Sequence, residues 1–135
     1  MRIAIISIPA QRRDIPDYVS ALARGMESMG HRVDVIDGWT SDGLRLPGYE
    51  YIAVAAEAAS LLGGKIPPAL PKILAAAGSL QGRKSAAFLR KTGPFTTKAL
   101  SNLMKIMEKE GMYVNWSDII LSAAQAESLG KRIGA

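Results

Sequence analysis

The chain has 135 residues, 17 Lys plus Arg against 12 Asp plus Glu, one histidine and no cysteine, for a formal charge of +5. This length suits one domain, expected over residues 1–135, with a real hydrophobic core. The missing cysteines exclude disulfides, thiolate chemistry and cysteine-held metals, and with His31 as the only histidine a histidine-rich metal site or a Ser-His-Asp triad has little to work with. No metal is therefore expected, and His31 reads as a solvated turn residue.

Arg2 to Ile8 carries Ile3, Ile5, Ile6 and Ile8, a β-branched run with little alternation. That pattern suits a central parallel strand buried on both faces. A turn follows, Pro9 to Pro16, with two adjacent arginines, Arg12 and Arg13, and no glycine, serine or threonine. The next helix is expected from Asp14 as N-cap, with Pro16 in its first turn and Tyr18, Val19, Leu22, Met26 and Met29 inward. Gly30 closes it, and His31 to Asp37 forms a second strand through Val33, Val35 and Ile36.

Gly38 to Gly48 is polar and holds Trp39, Asp42 and Pro47. It is too short for a full crossover helix, which needs about a dozen residues. Tyr49 to Ala55 is the third strand, followed by the small-residue loop 56–66. Pro67-Pro68 opens a helix that ends at Gly78. Lys84 to Leu89 is the fourth strand, and Arg90 to Phe95 a loop containing Thr92-Gly93-Pro94. Thr96 or Thr97 caps the longest helix, which stops at Gly111. Met112 to Trp116 is a fifth strand with a continuation through Leu121, and Ser122 with Gln125 sets a capping box for the last helix.

Strands alternating with helices imply an α/β fold, a three-layer α-β-α sandwich on a five-stranded parallel sheet with right-handed crossovers. The order 2-1-3-4-5 fits, with the second crossover helix shortened. In that order the ends of the first, third and fourth strands are neighbours. Arg12, Arg13, Arg90 and Lys91 are therefore expected at one crevice, where four cations favour an anion. Solvated surface arginines are the alternative reading of the pair in the first turn.

With these elements placed, the chain resembles the flavodoxin family, flavodoxins and FMN-dependent reductases, over nearly its whole length. The resemblance rests on Gly64-Lys65-Ile66-Pro67-Pro68-Ala69-Leu70, on Gly78-Ser79-Leu80-Gln81-Gly82-Arg83-Lys84, and on Ala21-Leu22-Ala23-Arg24-Gly25-Met26 with Gly30-His31-Arg32-Val33-Asp34-Val35-Ile36-Asp37. It implies FMN as cofactor at the switch point and electron-transfer chemistry carried by the flavin. The positions matching the family's phosphate loop are about Ala10 to Ile15, which places Gln11, Arg12 and Arg13 at the phosphate. Glu57, Ala58, Arg90, Thr92, Gly93 and Phe95 then border the rest of the flavin site; for Glu57, a lone carboxylate at the end of the third strand, an ion pair with the nearby arginines is the alternative reading.

The chain departs from the family in three ways. Its first turn lacks the glycine and hydroxyls that donate to phosphate. Residues 55–62 hold no aromatic to stack on the ring; Phe95 and Trp39 are the nearby candidates, and packing is the usual role of such residues. The expected crevice is basic, where flavodoxins are acidic. Two functions stay open: an FMN-linked redox protein, electron carrier or reductase, acting with a redox partner protein; and a flavin-free domain binding another small anionic ligand or a protein through a basic crevice. Nucleic acid is not expected, since stacking aromatics and a basic helix are missing. A cytoplasmic, membrane-free protein is expected, as no run reaches spanning length. The alanine- and methionine-rich faces of the last two helices permit a homodimer without requiring one.

Overall fold

The computed structural model describes residues 1–40, 45–60 and 62–133. Asp42 of the second connection and Leu61 of the third lie outside the described residues. Five strands, β1 (Arg2–Ile8), β2 (Arg32–Asp37), β3 (Tyr51–Ala56), β4 (Lys84–Arg90) and β5 (Tyr113–Ile120), form one sheet of order β2-β1-β3-β4-β5. All pairs are parallel. The helices are α1 (Asp17–Ser28), α2 (Ala69–Ala76), α3 (Thr96–Lys109) and α4 (Ala123–Gly130). Between β2 and β3 the described residues hold a single 3-10 turn, Leu46–Gly48, so the second crossover helix is indeed reduced.

Strand alternation divides the core into two layers. Ile3 and Ile5 of β1, Tyr51, Ala53 and Ala55 of β3, and Ala86 and Phe88 of β4 pack with α1 and α4. Ala4, Ile6, Ile8, Ile52, Val54, Ala56, Ala87 and Leu89 pack with α2 and α3 on the other face. The period of two continues past the strand ends. Glu57, two residues beyond Ala55, and Arg90, two beyond Phe88, thus fall on the α1 side.

Helices α1 and α4 approach closely at two glycines. A Cβ on Gly25 would lie 2.0 Å from the Glu127 carbonyl oxygen, and one on Gly130 would lie 2.3 Å from that of Leu22. Only hydrogen fits at either position.

The structure corrects several boundaries. The cap of α1 is Pro16 rather than Asp14, and the helix begins at Asp17; Pro16 has φ −63 and ψ 154, extended, and no side chain caps the helix. Proline disfavours helical backbone at the residue before it, so Ile15 cannot belong to the first turn. Neither threonine caps α3. Phe95 holds the cap position, and the Thr96 hydroxyl donates back to the carbonyls of Thr92 and Gly93 at 3.4 and 3.2 Å. Strand β3 starts at Tyr51 because the Tyr49 N–H closes the 3-10 turn on Leu46. Strand β5 runs unbroken to Ile120, with a register shift opposite Ser85 and Ala86. At α4 the Ser122 hydroxyl accepts from the Gln125 N–H at 3.2 Å, while the Gln125 side chain accepts from Leu121 N–H. His31 is not simply solvated: its ring nitrogens face the Met1 amine at 2.9 Å and the Ile133 carbonyl at 3.0 Å.

Candidate functional site

The carboxyl ends of β1, β3 and β4 converge beneath the first turn of α1. The strand pairing brings Ile8 opposite Ala56, and the Glu57 N–H extends that ladder to the Ile8 carbonyl at 2.9 Å. This step sets Glu57 directly beside the turn that follows β1. The residue is 6 % exposed, and its carboxylate takes hydrogen bonds from the chain's own groups. Oε1 accepts from the Ala10 N–H at 3.0 Å and from Arg13 Nη1 at 2.8 Å. Oε2 accepts from Arg13 Nη2 at 2.5 Å and from the Tyr18 hydroxyl at 2.7 Å. The Arg13 contact is bidentate, the strong and directional form of a guanidinium–carboxylate pair.

The ionisation of this cluster follows from its geometry. Burial raises the Glu57 pKa, but Arg13, the Ala10 N–H and the Tyr18 hydroxyl together outweigh it and hold the carboxyl below its ordinary value. Burial and the bond to Glu57 push the Tyr18 hydroxyl well above its ordinary value. The bond to Glu57 raises Arg13 in turn. At neutral pH the group is a carboxylate clasped by one guanidinium, one phenol and one backbone amide.

An open crevice of ≈ 490 Å³ lies against this cluster, lined by Arg13, Pro16, Asp17, Tyr18, Glu57, Arg90, Lys91 and Thr92. It touches the N-terminus of α1, where backbone N–H groups favour negative charge. Arg90 leans over the Tyr18 ring, with Cζ 5.9 Å from its centroid, and donates to the Ile120 carbonyl at 3.2 Å. Three of the four cations expected from sequence share this crevice. Arg12 is exposed and does not line it. Asp17 and Glu57 also face it, so the excess of positive charge is smaller than the sequence suggests.

The remaining site residues fall around this centre. Gln11 is exposed in the first turn, and Ala58 is buried in the core layer that packs with α2 and α3. Thr92 lines the crevice; Gly93 lines a neighbouring one with Lys91, Thr96 and Asp118. Phe95 is 38 % exposed and lines neither. Trp39 donates its indole N–H to the Pro9 carbonyl at 2.9 Å and so ties down the first turn. Tyr18 and Asp17 were not among the sequence-level site residues. Tyr18 reads there as one more apolar contact of an amphipathic helix, and only the arrival of Glu57 gives its hydroxyl a purpose.

These residues do not fit the phosphate of FMN in the manner of the family resemblance. The first turn's Ala10 N–H is already taken by the Glu57 carboxylate and is not free to donate to a phosphate. Tyr18 is the crevice's one aromatic; it is 3 % exposed, with Arg90 over its ring, and offers no surface for flavin stacking. Among the described residues no group of three or more His, Asp or Glu could hold a metal ion, and no helix is long and apolar enough to cross a membrane.

The architecture is that of the flavodoxin-like α/β sandwich. Among solved structures, the chain is similar to a flavodoxin from the domain Archaea, with TM-score 0.73 at 20 % identity over 98 % of this chain and 96 % of that one. It is also similar to oxidised flavodoxin 1 from Bacillus cereus, with TM-score 0.71 at 15 % identity over 96 % and 95 % of the two chains. An NAD(P)H:quinone oxidoreductase from Methanothermobacter marburgensis matches with TM-score 0.66 at 13 % identity over 100 % and 96 %. No family model matches the chain, and no curated protein matches it in sequence.

Proposed function

We propose that this is a flavodoxin-like protein that binds a small oxyanion in the crevice at the ends of β1, β3 and β4. The observation that carries this reading is the meeting of Arg90, Lys91 and the outer edge of Arg13 at the N-terminus of α1. Cations beside a helix N-terminus form an anion site whose wall is already folded. Isothermal titration with inorganic phosphate at low salt tests it. Wild-type protein should bind phosphate, and Arg90→Ala should weaken binding by about tenfold, the scale of one charge-assisted hydrogen bond. Absence of phosphate binding by the wild type overturns it.

The second reading is an FMN-linked electron carrier or small reductase. It is supported by the likeness to flavodoxins and to a quinone oxidoreductase across almost the whole chain. There Gln11, Arg12 and Arg13 hold the phosphate, the 57–58 and 92–95 segments border the ring, a redox partner protein docks at the same edge, and Glu57 has to leave the turn. A visible absorption spectrum of the purified protein, followed by FMN titration, decides between the two. A flavin spectrum establishes the second reading, and a protein that stays colourless with FMN removes it.

A further inference from the structure

We propose that Glu57 is a built-in anion: its carboxylate fills the anion position of the turn between β1 and α1 and keeps an external phosphate out of it. Three features support this assignment. Its donors are of the kinds that hold a bound oxyanion, namely a turn N–H, a bidentate guanidinium and a hydroxyl. They come from Ala10, Arg13 and Tyr18, before and within the first turn of α1, while the carboxylate comes from the end of β3, 39 to 47 residues away in sequence. Glu57 itself is only 6 % exposed, so the acid is held within the fold rather than resting on it.

A turn that lacks glycine is less free to curl round a phosphate with several N–H groups at once. A carboxylate needs fewer donors and carries less charge. Seated on the chain, it also competes at a fixed, high effective concentration. An incoming phosphate must displace it and accept a buried negative neighbour. The crevice outside, with Arg90 and Lys91, stays open to anions while the turn itself is closed to them.

The experiment compares wild type, Glu57→Ala, Glu57→Gln and Asp17→Asn by calorimetric titration with inorganic phosphate, with backbone amide shifts recorded during the same titration. Asp17 lines the same crevice, so its variant removes one negative charge without vacating the turn. E57A should bind phosphate at least about tenfold tighter than wild type, with the Ala10 amide shifting on addition. In wild type and D17N that amide should stay still. E57Q keeps the side chain's shape and loses its charge, and should gain in the same direction by less. If E57A is unfolded by circular dichroism, E57Q carries the test alone. No gain in the folded glutamate variants, or a gain matched by D17N with the Ala10 amide unmoved, overturns the assignment. A gain in E57A over a wild type that binds no phosphate supports the seated carboxylate and rejects the open crevice as an anion site. Binding by wild type with no gain in E57A does the reverse.

Discussion

The Tyr18 hydroxyl donates to Glu57 across 2.7 Å, joining the first turn of α1 to the end of β3 over 39 residues of sequence. Both residues are nearly inaccessible, at 3 % and 6 %. The bond is therefore largely shielded from water, and an unpaired group there is costly.

Tyr18→Phe should lower stability by about 1–2 kcal/mol, since Glu57 keeps its other donors and loses one. Urea denaturation measures it. The same substitution should raise the Glu57 pKa, because a hydrogen bond to the ionised form is gone. A change below a few tenths of a kcal/mol would show the hydroxyl to be idle.

The acid limb of stability should carry the signature of Glu57. Its folded-state pKa lies below the ordinary 4.5. Its contribution is therefore present above 4.5 and is lost as pH falls through the folded value. The stability gap between wild type and Glu57→Gln should be full at pH 7 and shrink below pH 4.5. A gap that stays constant down to acid pH contradicts the clasped carboxylate.

The alkaline limb should report the buried phenols. Burial pushes Tyr51 up to about 12, and burial with Glu57 pushes Tyr18 further. Raised folded-state values mean that this contribution is full below the unfolded tyrosine value of 10.0 and declines as pH rises past it. Absorbance at the phenolate band, followed with circular dichroism, should show these groups ionising together with unfolding. Their complete titration near pH 10 in folded protein would refute the burial account.

Arg12→Ala and Arg90→Ala should part company. Arg90 lines the crevice and Arg12 does not, so only R90A should weaken phosphate binding, by about tenfold. Its melting temperature should fall slightly, through loss of the Ile120 carbonyl bond and the contact with the Tyr18 ring. Equal effects from the two variants would place the anion elsewhere.

Gly25→Ala should be among the more damaging single substitutions away from the crevice. The added carbon would lie 2.0 Å from a backbone oxygen of α4, so the helices must separate, at a cost of about 2–3 kcal/mol. Thermal melting checks this, and phosphate affinity of the folded fraction should be unchanged.

Much of the architecture was legible because it rests on local signals. The β-branched runs, the glycine stops and the alternation of strands with helices fix the elements, and the right-handed crossover rule leaves few ways to join them. Boundaries moved where a neighbour's backbone decided them. Pro16 moved the start of α1 two residues on by restricting Ile15, and Leu46 drew Tyr49 into a 3-10 turn.

The site divided along the same line. From sequence alone came the basic first turn, the loop after β4 and their meeting at the sheet's switch point, because strand order follows from connectivity. The tertiary structure decided what that turn holds. Arg12 and Arg13 are adjacent letters, yet one is bonded to Glu57 and the other lies outside the crevice. Strand order made Glu57 an ion-pair candidate for the arginines, but nothing local to residues 10–18 says that Arg13 rather than Arg12 takes it. Only the pairing of β1 with β3 brings it within hydrogen-bond reach, and burial there gives that bond its weight.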